Sequence, residues 1–444
     1  MKRDKYNQLL QWKERRGRKP LILRGARQVG KTWLLKAFGQ NQFRRMHYIN
    51  FEQRGQDYDL FAGSLAPRDL LRALEVVLNA DIDPAQDLLV FDEVQERPRA
   101  LTSLKYFSEE MPELAVCCAG SHIGLLLNET SFPVGQVEFM SLYPLSFGEF
   151  LRAHQPRAST YLADSPAAEA LPEAVHQLLW NELKLYYATG GLPEAVQAFL
   201  DQGGEGLGAL QAARAVQQRL MVGYQSDFAK HAGKENAAHI NRVFENIPEQ
   251  LARVVDDSVG KYRFRGVIPN RSKFAQFAGP IDWLVRSGLA LQVYIIEQPS
   301  LPLRSRRKAN TFKLYLFDVG LLGCMLDLSL DAIVNQEYGN YKGFVAENFV
   351  AQELAASSAA ELYSWRGRLS EIEFLRVVGD GIAPVEVKSG VHTRSKSLAV
   401  YREKYGPPAS LKLSALNGSK GERGILNAPL YRAGQVDQIL AEAQ

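Results

Sequence analysis

The 444-residue sequence lacks an apolar run long enough to span a bilayer, so no membrane-crossing helix is predicted. Its first twenty residues are charged without a continuous apolar stretch, and they do not predict a secretory signal. The sequence also lacks a large excess of charge of either sign. Its 53 Lys and Arg residues are nearly balanced by 49 Asp and Glu residues, and the formal net charge is +4. The balance gives no general attraction to nucleic acid, so any basic surface must be local.

Cysteine is scarce, with three residues in the whole chain. Cys117 and Cys118 are adjacent in an apolar run, and Cys324 stands alone. Neither a CxxC motif nor a Cys/His cluster occurs, so neither a disulfide framework nor a zinc site is predicted. Buried thiols in a reducing compartment are the ordinary interpretation, and we expect a cytoplasmic protein.

The length and the hydrophobic fraction of 46% indicate a globular chain of more than one domain. From residue 20 to residue 150, short apolar runs alternate with amphipathic stretches, which predicts a parallel sheet flanked by helices. The predicted strands are residues 21–23, 47–51, 88–91 and 114–118.

The middle and the end of the chain have different patterns. Residues 165–255 are helical in pattern, and more helices follow before two strand-like segments at 293–296 and 311–317. These two segments flank the basic link 301–308, in the manner of the wing of a winged helix-turn-helix. Beyond residue 335, helices and strands predict a separate α/β unit.

Residues 25–32 read GARQVGKT and fit the phosphate-binding pattern GxxxxGK[ST]. The motif follows a predicted strand and precedes a predicted helix at 33–38, the context in which backbone N–H groups surround phosphates. Lys31 would reach the β and γ phosphates of ATP, and the Thr32 hydroxyl would bind Mg²⁺. The predicted nucleotide-binding residues are Gly25, Ala26, Arg27, Gln28, Val29, Gly30, Lys31, Thr32 and Trp33.

Two further strand ends complete the predicted site. The run LLVFDE delivers Asp92 to the sheet edge as a ligand of Mg²⁺, and Glu93 as the group that polarises the attacking water. Ser121 ends another apolar strand and could bind the γ-phosphate or the water; an ordinary helix N-cap is the alternative. A small-molecule kinase is disfavoured, because the Asp-Glu pair suits hydrolysis and the chain is much longer than one kinase domain.

With these motifs, the sequence resembles a prokaryotic group of AAA-type ATPases with a C-terminal domain of unknown function. The resemblance is carried by GARQVGKT, LVFDEVQ, CAGS, SFPVG, LYPLSFGEF, TGGLPEAV, KLYLFDVGLL and EVKSG, over nearly the whole chain. It implies an α/β protein with a P-loop ATPase core (1–155), a helical lid or linker (156–235), a winged-helix-like domain (236–330) and a PD-(D/E)xK nuclease-like domain (331–444).

In that last domain the resemblance implies a second metal site. Glu373 and Glu386 would bind Mg²⁺, Glu347 would be a further member, and Lys388 would position a water near a scissile phosphate. Glu386 and Lys388 are two residues apart on a predicted strand, so they share a face. The alternative is a nuclease-like fold retained for binding or packing.

The sequence departs from the group's pattern at two positions. Gln136 stands where the group usually has Arg, a candidate for contacting the γ-phosphate, and a neutral amide would slow hydrolysis. Glu373 stands where Asp is usual, and its extra methylene would displace a metal or its water.

Two basic clusters could contact DNA, although a solvated loop is the ordinary interpretation of each. The first is Arg304, Arg306, Arg307 and Lys308, and the second is Arg366, Arg368, His392, Arg394 and Lys396. We therefore predict a Mg²⁺-dependent ATPase that couples its nucleotide state to DNA binding or processing. The alternative is an ATP-controlled switch whose inactive nuclease-like domain binds a protein or RNA. A homo-oligomer is compatible with either function, and no membrane partner is predicted.

Overall fold

The computed structural model describes residues 1–53, 60–121, 123, 133, 135–253, 260–335, 339–358, 360–391, 395–420 and 424–442. The chain divides into two compact units. The first comprises residues 1–143 with 286–288, and the second comprises 144–285 with 289–444. Among the described helices, none combines the length and the apolar character that crossing a membrane requires.

The first unit is built on a five-stranded parallel sheet, which confirms the predicted α/β class for this part of the chain. Its strands are β1 (Leu21–Arg24), β2 (Met46–Asn50), β3 (Leu88–Asp92), β4 (Ala115–Gly120) and β5 (Glu138–Ser141). Their order is β2-β3-β4-β1-β5. β4 therefore lies between β1, which precedes the P-loop, and β3, which ends in Asp92. The carboxyl ends of all five strands therefore meet at one edge of the sheet.

Helices flank this sheet because its strands are apolar on both faces. Every residue of β3 and β4 is buried, as expected for parallel strands covered on each side. The helices of this unit are α1 (Lys5–Glu14), α2 (Lys31–Gln42), α3 (Pro67–Leu78) and α4 (Pro98–Glu110). α3 is strongly amphipathic and buries Leu70 and Leu74 in the core, beside Phe91.

The second unit contains a mixed sheet of eight strands in the order β12-β13-β11-β10-β9-β8-β6-β7. The strands are β6 (Ala290–Ile296), β7 (Phe312–Leu316), β8 (Leu362–Arg366), β9 (Glu371–Val378), β10 (Gly381–Val387), β11 (Ser410–Ser414), β12 (Ser419–Lys420) and β13 (Ile425–Pro429). β6 and β7 pair antiparallel around the basic link, but β6 also pairs in parallel with β8. One sheet thus runs across the predicted boundary between residues 330 and 331.

Twelve helices are described in the second unit. They are α5 (Phe147–His154), α6 (Pro156–Asp164), α7 (Glu173–Thr189), α8 (Pro193–Asp201), α9 (Gly206–Ala232), α10 (Lys234–Arg253), α11 (Ala278–Arg286), α12 (Val319–Met325), α13 (Leu330–Asn335), α14 (Lys342–Ser357), α15 (Lys396–Tyr405) and α16 (Val436–Ala441). α14 carries Glu347 against β7, and this places it beside the strands that bear Glu373 and Glu386.

Several motifs of the resemblance meet in the core of this unit. Asp318, from KLYLFDVGLL, accepts hydrogen bonds from the backbone N–H groups of Gly191 (2.7 Å) and Leu321 (2.9 Å). The carbonyl of Gly191 accepts from the N–H of Leu145, which belongs to LYPLSFGEF. Ser146 then caps α5 through a capping box. These contacts therefore join the end of β7 to the first turns of α5 and α12.

Candidate functional site

The P-loop lies at the carboxyl edge of the first sheet, directly after β1, where the sequence predicts it. Gly25 and Gly30 have φ values of 156° and 92°, in the region that favours glycine. A Cβ on Gly25 would come within 2.1 Å of the Leu142 carbonyl oxygen, so a side chain is excluded there by contact as well. The loop thus takes a backbone path that the two glycines permit.

Lys31 is the first residue of α2 and is buried against its own loop. Its ammonium donates hydrogen bonds to the carbonyl oxygens of Gly25 (2.9 Å) and Ala26 (2.8 Å). Burial lowers the pKa of Lys31 to about 8, against the opposing charges of Glu93 and Asp92. The side chain is therefore held at the phosphate-binding loop with its charge poorly solvated.

Thr32 and Asp92 meet directly, as the predicted magnesium site requires. The Thr32 hydroxyl donates to Asp92 Oδ2 at 2.7 Å, and the Tyr48 hydroxyl donates to the same oxygen at 2.6 Å. A hydroxyl beside a carboxylate is a donor set that suits Mg²⁺ together with phosphate oxygens, so the residues present fit this ion. Burial and the Asp92 carboxylate raise the pKa of Tyr48, which keeps its hydroxyl a donor.

Glu93 follows Asp92 in a left-handed backbone conformation, with φ 51° and ψ 45°. This conformation is uncommon outside glycine and is found at functional sites. The Gln95 amide donates a hydrogen bond of 2.6 Å to Glu93 Oε2. Glu93 is therefore held at the sheet edge by a neighbour to which the sequence alone assigned no role.

Strand register places Ser121 at the same edge. Gly120 is paired with Arg24, so Ser121 follows at the level of Gly25, and its side chain is buried. This position suits the predicted contact with the γ-phosphate. Of the alternative N-cap helix only Ile123 is described, so the capping interpretation is not settled.

The remaining P-loop residues divide by exposure. Val29 and Ala26 are buried and would contact a nucleotide through backbone atoms. Arg27 lies 3.9 Å from Glu52 at the surface, and Gln28 takes a positive φ of 66°. Trp33 is 50% exposed in the first turn of α2, next to the predicted phosphate site.

Gln136 lies at the opposite edge of the sheet. It precedes β5, whose first residue Glu138 pairs with Leu21 at the amino end of β1. Its amide contacts the Ser108 hydroxyl (3.1 Å) and Glu109 (3.2 Å) near the end of α4. β1 alone separates the two edges by roughly 10 Å. Gln136 therefore does not face the P-loop of its own chain, and the suggestion that it contacts the γ-phosphate there is not supported.

Three residues at this site were missed by the sequence analysis. Arg3 donates to the carbonyl oxygens of Val29 (2.7 Å) and Tyr143 (2.6 Å), and so anchors the P-loop from the start of the chain. Tyr48 donates a hydrogen bond to Asp92, and Gln95 donates one to Glu93. Gln95 is the last residue of the motif LVFDEVQ, so its position in that motif could have identified it. Arg3 and Tyr48 contact residues that are distant in sequence, and no local pattern identifies them.

In the second unit, the structure brings Glu373, Glu386 and Lys388 together. The Lys388 ammonium lies 3.5 Å from Glu386 Oε1 and 3.9 Å from Glu373 Oε1. The other Glu373 oxygen accepts from the N–H of Val387 at 3.0 Å. Burial raises the pKa of Glu373, and the nearby carboxylates Glu347 and Glu386 add to the rise although Lys388 opposes it.

A second lysine, Lys313 of β7, completes the cluster. It lies between Glu347 (3.4 Å) and Glu371, and Tyr315 also donates to Glu347 at 2.7 Å. Lys313 is buried, and its pKa is raised because the carboxylates outweigh desolvation. Each lysine thus bridges two carboxylates.

A divalent ion at the predicted second metal site would need free carboxylate oxygens in this cluster. Glu386 Oε2 is buried and has no hydrogen-bond partner among the described residues, which would suit a cation. Lys388 lies near Glu386 Oε1 and Glu373 Oε1, and the N–H of Val387 donates to Glu373 Oε2. Lys313 and Tyr315 contact Glu347 Oε2. Within the described ranges, no set of three or more acidic, His or Cys side chains is arranged to hold a metal ion. The geometry as it stands does not fit a divalent ion, although the predicted residues do converge.

The basic link 301–308 is partly neutralised by its surroundings. Arg307 pairs with Glu361 at 2.6 Å and packs over the Tyr294 ring, and Lys308 lies 3.2 Å from Glu297. Arg304 is also 3.9 Å from Glu361 but mostly exposed. In the other predicted basic cluster, His392 and Arg394 lie outside the described residues. Arg306 contacts the Ser300 hydroxyl, so two carboxylates face the four cations of the link, and part of its charge is uncompensated.

Family models match three parts of the chain. Residues 17–151 match the model of an AAA domain, residues 181–332 a domain of unknown function (DUF8612), and residues 342–424 another (DUF4143). The first match covers the P-loop, Asp92, Glu93 and Ser121. Residues 17–151 are therefore similar to an AAA domain, and the predicted nuclease-like character of the C-terminal part is not established. The comparison with curated proteins gave no match.

Solved structures give weak overall likenesses. A Walker-type ATPase of Pyrococcus abyssi is 15% identical with a TM-score of 0.45, and the alignment covers 73% of this chain and 95% of that one. The Aeropyrum pernix ORC1 protein in complex with DNA is 12% identical with a TM-score of 0.29, covering 75% and 94%. AMPPCP-bound DnaA from Aquifex aeolicus is 12% identical with a TM-score of 0.28, covering 59% and 76%.

Proposed function

We propose that this protein binds ATP with Mg²⁺ at residues 25–33 and hydrolyses it. The observation that carries the proposal is the hydrogen bond between Thr32 and Asp92, with Glu93 next to it. This joins the end of the P-loop to the predicted metal-binding carboxylate. The match of residues 17–151 to an AAA domain supports the same conclusion.

Each residue has a distinct task in the proposed reaction. Lys31 exchanges the Gly25 and Ala26 carbonyls for the β and γ phosphates, whose charge restores its full basicity. The Thr32 hydroxyl and Asp92 would hold Mg²⁺, which neutralises phosphate charge when bound. Glu93 orients the attacking water and accepts its proton, while Gln95 fixes the Glu93 carboxylate. Ser121 would hydrogen-bond the γ-phosphate or that water.

We further propose that the nucleotide state controls binding of DNA by the second unit. Arg368 and Lys396, two exposed cations of the second predicted basic cluster, support this role. Two lysines already bridge the four carboxylates, which favours binding without cleavage. A protein or RNA partner in place of DNA is the second candidate, and it is favoured by the same lysine-bridged cluster. Hydrolysis rates measured with and without DNA separate the two, because only a DNA-coupled ATPase changes its rate.

Glu93→Gln tests the hydrolysis proposal. The amide keeps the side-chain shape but cannot accept a proton, so turnover should fall by about 100-fold or more while ATP stays bound. Phosphate release and nucleotide binding by calorimetry measure the two effects. Glu110→Gln, an exposed carboxylate at the end of α4, is the matched control and should hydrolyse like the parent. Equal rates in Glu93→Gln and the parent would mean that another group activates the water.

A further inference from the structure

A cavity of about 290 Å³ lies in the second unit. It is bounded by the end of α10, by residues 260–267, by Lys313 and Leu314 of β7, and by the start of α14. Its volume is near the lower end of the range for small-ligand sites. A single nucleotide-sized group could enter such a cavity, whereas duplex DNA could not.

The described lining of this cavity is strongly basic. Arg253, Lys261, Arg263, Arg265 and Lys313 contribute five positive charges, and Glu347 contributes one negative charge. The described lining therefore has a formal charge of +4. Such a local excess of positive charge attracts anions.

Most of these cations are not committed to carboxylates. Arg253 pairs with Glu249 at 3.3 Å, but both side chains are largely exposed and such a pair is weak. The side chains of Lys261, Arg263 and Arg265 form no ion pair with any residue in the described ranges. They differ in this from Arg307 of the basic link, a partly buried cation that pairs with Glu361 at 2.6 Å.

Two polar residues give the cavity a fixed form. Gln250 accepts from the N–H of Arg263 (2.7 Å) and donates to its carbonyl oxygen (2.7 Å), which fixes the backbone between Tyr262 and Phe264. Tyr262 is 5% exposed and its ring stacks on Phe312, yet its hydroxyl has no hydrogen-bond partner among the described residues. A buried hydroxyl without a partner is costly to a fold, and a ligand oxygen would satisfy it.

We propose that this cavity binds the phosphate of a nucleoside phosphate, either free or at the end of a nucleic-acid strand. Guanidinium groups form paired hydrogen bonds with phosphate oxygens, and the Tyr262 hydroxyl supplies a further donor. Lys313 is shared with the carboxylate cluster, so a bound phosphate competes with Glu347 and Glu371 for its ammonium. The site has no residue in common with the P-loop and does not depend on ATP hydrolysis.

The test uses the full-length Lys31→Ala variant, in which the P-loop should no longer bind nucleotide. The probes are AMP and a single-stranded 12-mer carrying either a 5′-phosphate or a 5′-hydroxyl, titrated by calorimetry and fluorescence anisotropy. We expect the phosphorylated probe to bind at least tenfold more tightly than the hydroxyl form. Binding of AMP would identify a free nucleotide as ligand, and binding of the phosphorylated strand without AMP would identify a strand end. Equal binding of both 12-mers, or no binding of any probe, would overturn the proposal.

Two double charge reversals in the same background locate the site. Arg263→Glu with Arg265→Glu should weaken phosphate binding at least tenfold. Arg304→Glu with Arg306→Glu, an equal change of charge on the basic link, should leave it within about twofold. The reverse result would place the ligand on the link and refute the cavity.

Tyr262→Phe separates ligand binding from folding. Removing a buried hydroxyl without a partner should leave the melting temperature unchanged or higher, while affinity for the phosphorylated probe falls several-fold. An unchanged affinity would exclude Tyr262 as a ligand donor and, with it, the proposed geometry.

Discussion

Lys31 illustrates how one residue can be prepared for a ligand at some electrostatic cost. Its ammonium is buried, and its charge is balanced by two carbonyl oxygens and nearby carboxylates. ATP would bring several negative oxygens to the same place. The energetic gain of binding therefore includes the relief of a charge that burial had disfavoured.

This relief predicts a proton uptake. The pKa of Lys31 is lowered to about 8 in the free protein, and phosphate should restore it towards the usual value near 10.5. Binding of ATP should therefore take up nearly one proton per site at pH 9 and only about a tenth of a proton at pH 7. Calorimetry in two buffers of different ionisation enthalpy measures the uptake. Lys31→Ala should lose ATP affinity by at least tenfold, and Lys105→Ala, an exposed lysine of α4, should behave like the parent. Equal heats in both buffers at pH 9 would show that Lys31 is already fully charged.

Gln136→Arg is a second test at the scale of a residue. Because Gln136 lies at the sheet edge opposite the P-loop, a new guanidinium should leave turnover of the isolated chain unchanged. Hydrolysis rates at several protein concentrations measure this. A rate increase that grows with concentration would indicate an arginine acting on a neighbouring copy. An increase independent of concentration would contradict the position of Gln136 described above.

At the scale of elements, the sequence predicted the strands whose apolar composition indicates that they are buried. The run 88–91 is uniformly apolar, and β3 is buried at every position, so length and pattern sufficed. The pairing of β6 with β8 could not be predicted, because it joins segments about seventy residues apart with no periodic signal. The second lysine of the carboxylate cluster was missed for the same reason. Lys313 lies on β7, and it reaches Glu347 and Glu371 only once that sheet has formed.

The junction around Asp318 makes a prediction about pH. Asp318 is fully buried, and desolvation raises its pKa to about 6 despite hydrogen bonds from the N–H groups of Gly191, Gly320 and Leu321. The folded state thus binds a proton more tightly than the unfolded state, whose pKa is near 3.8. The contribution of this carboxyl to stability is complete below pH 4 and is lost as pH rises to about 6, a change of about 3 kcal/mol.

Asp318→Asn should reveal that contribution. The amide does not titrate, so the difference in unfolding free energy between parent and variant should shrink as pH rises from 4.5 to 7. Chemical denaturation at several pH values gives the difference. Asp327→Asn, in the turn after α12, is the control and should show no such trend. A constant difference would mean that Asp318 is ionised throughout.

At the scale of the whole molecule, the two units differ in how far sequence and structure agree. In the first unit, the P-loop, Asp92 and Glu93 share one edge of a parallel sheet, as the order of motifs predicts. In the second unit, the predicted Glu373, Glu386 and Lys388 also meet, but they meet as ion pairs. Spacing along a strand identifies residues on one face, but it does not say whether a lysine or a metal will neutralise them.

The last prediction follows from those ion pairs. With Lys313 and Lys388 each bridging two carboxylates, the purified protein should bind DNA but should not cut it with Mg²⁺ or Mn²⁺, with or without ATP. Supercoiled plasmid and labelled oligonucleotides measure nicking and cleavage, and binding is followed at several salt concentrations.

Lys388→Ala should leave DNA binding intact and should destabilise the fold more at pH 8 than at pH 5, because protonation relieves the repulsion between Glu373 and Glu386. Neutralising Arg304, Arg306, Arg307 and Lys308 together should change DNA affinity only slightly, since Glu361 and Glu297 already compensate part of their charge.

Cleavage that requires Mn²⁺ or Mg²⁺ and disappears in Lys388→Ala would mean that the lysines give way to a metal when DNA is bound. The nuclease interpretation would then replace the binding role, because the same four carboxylates would have exchanged a lysine for the ion.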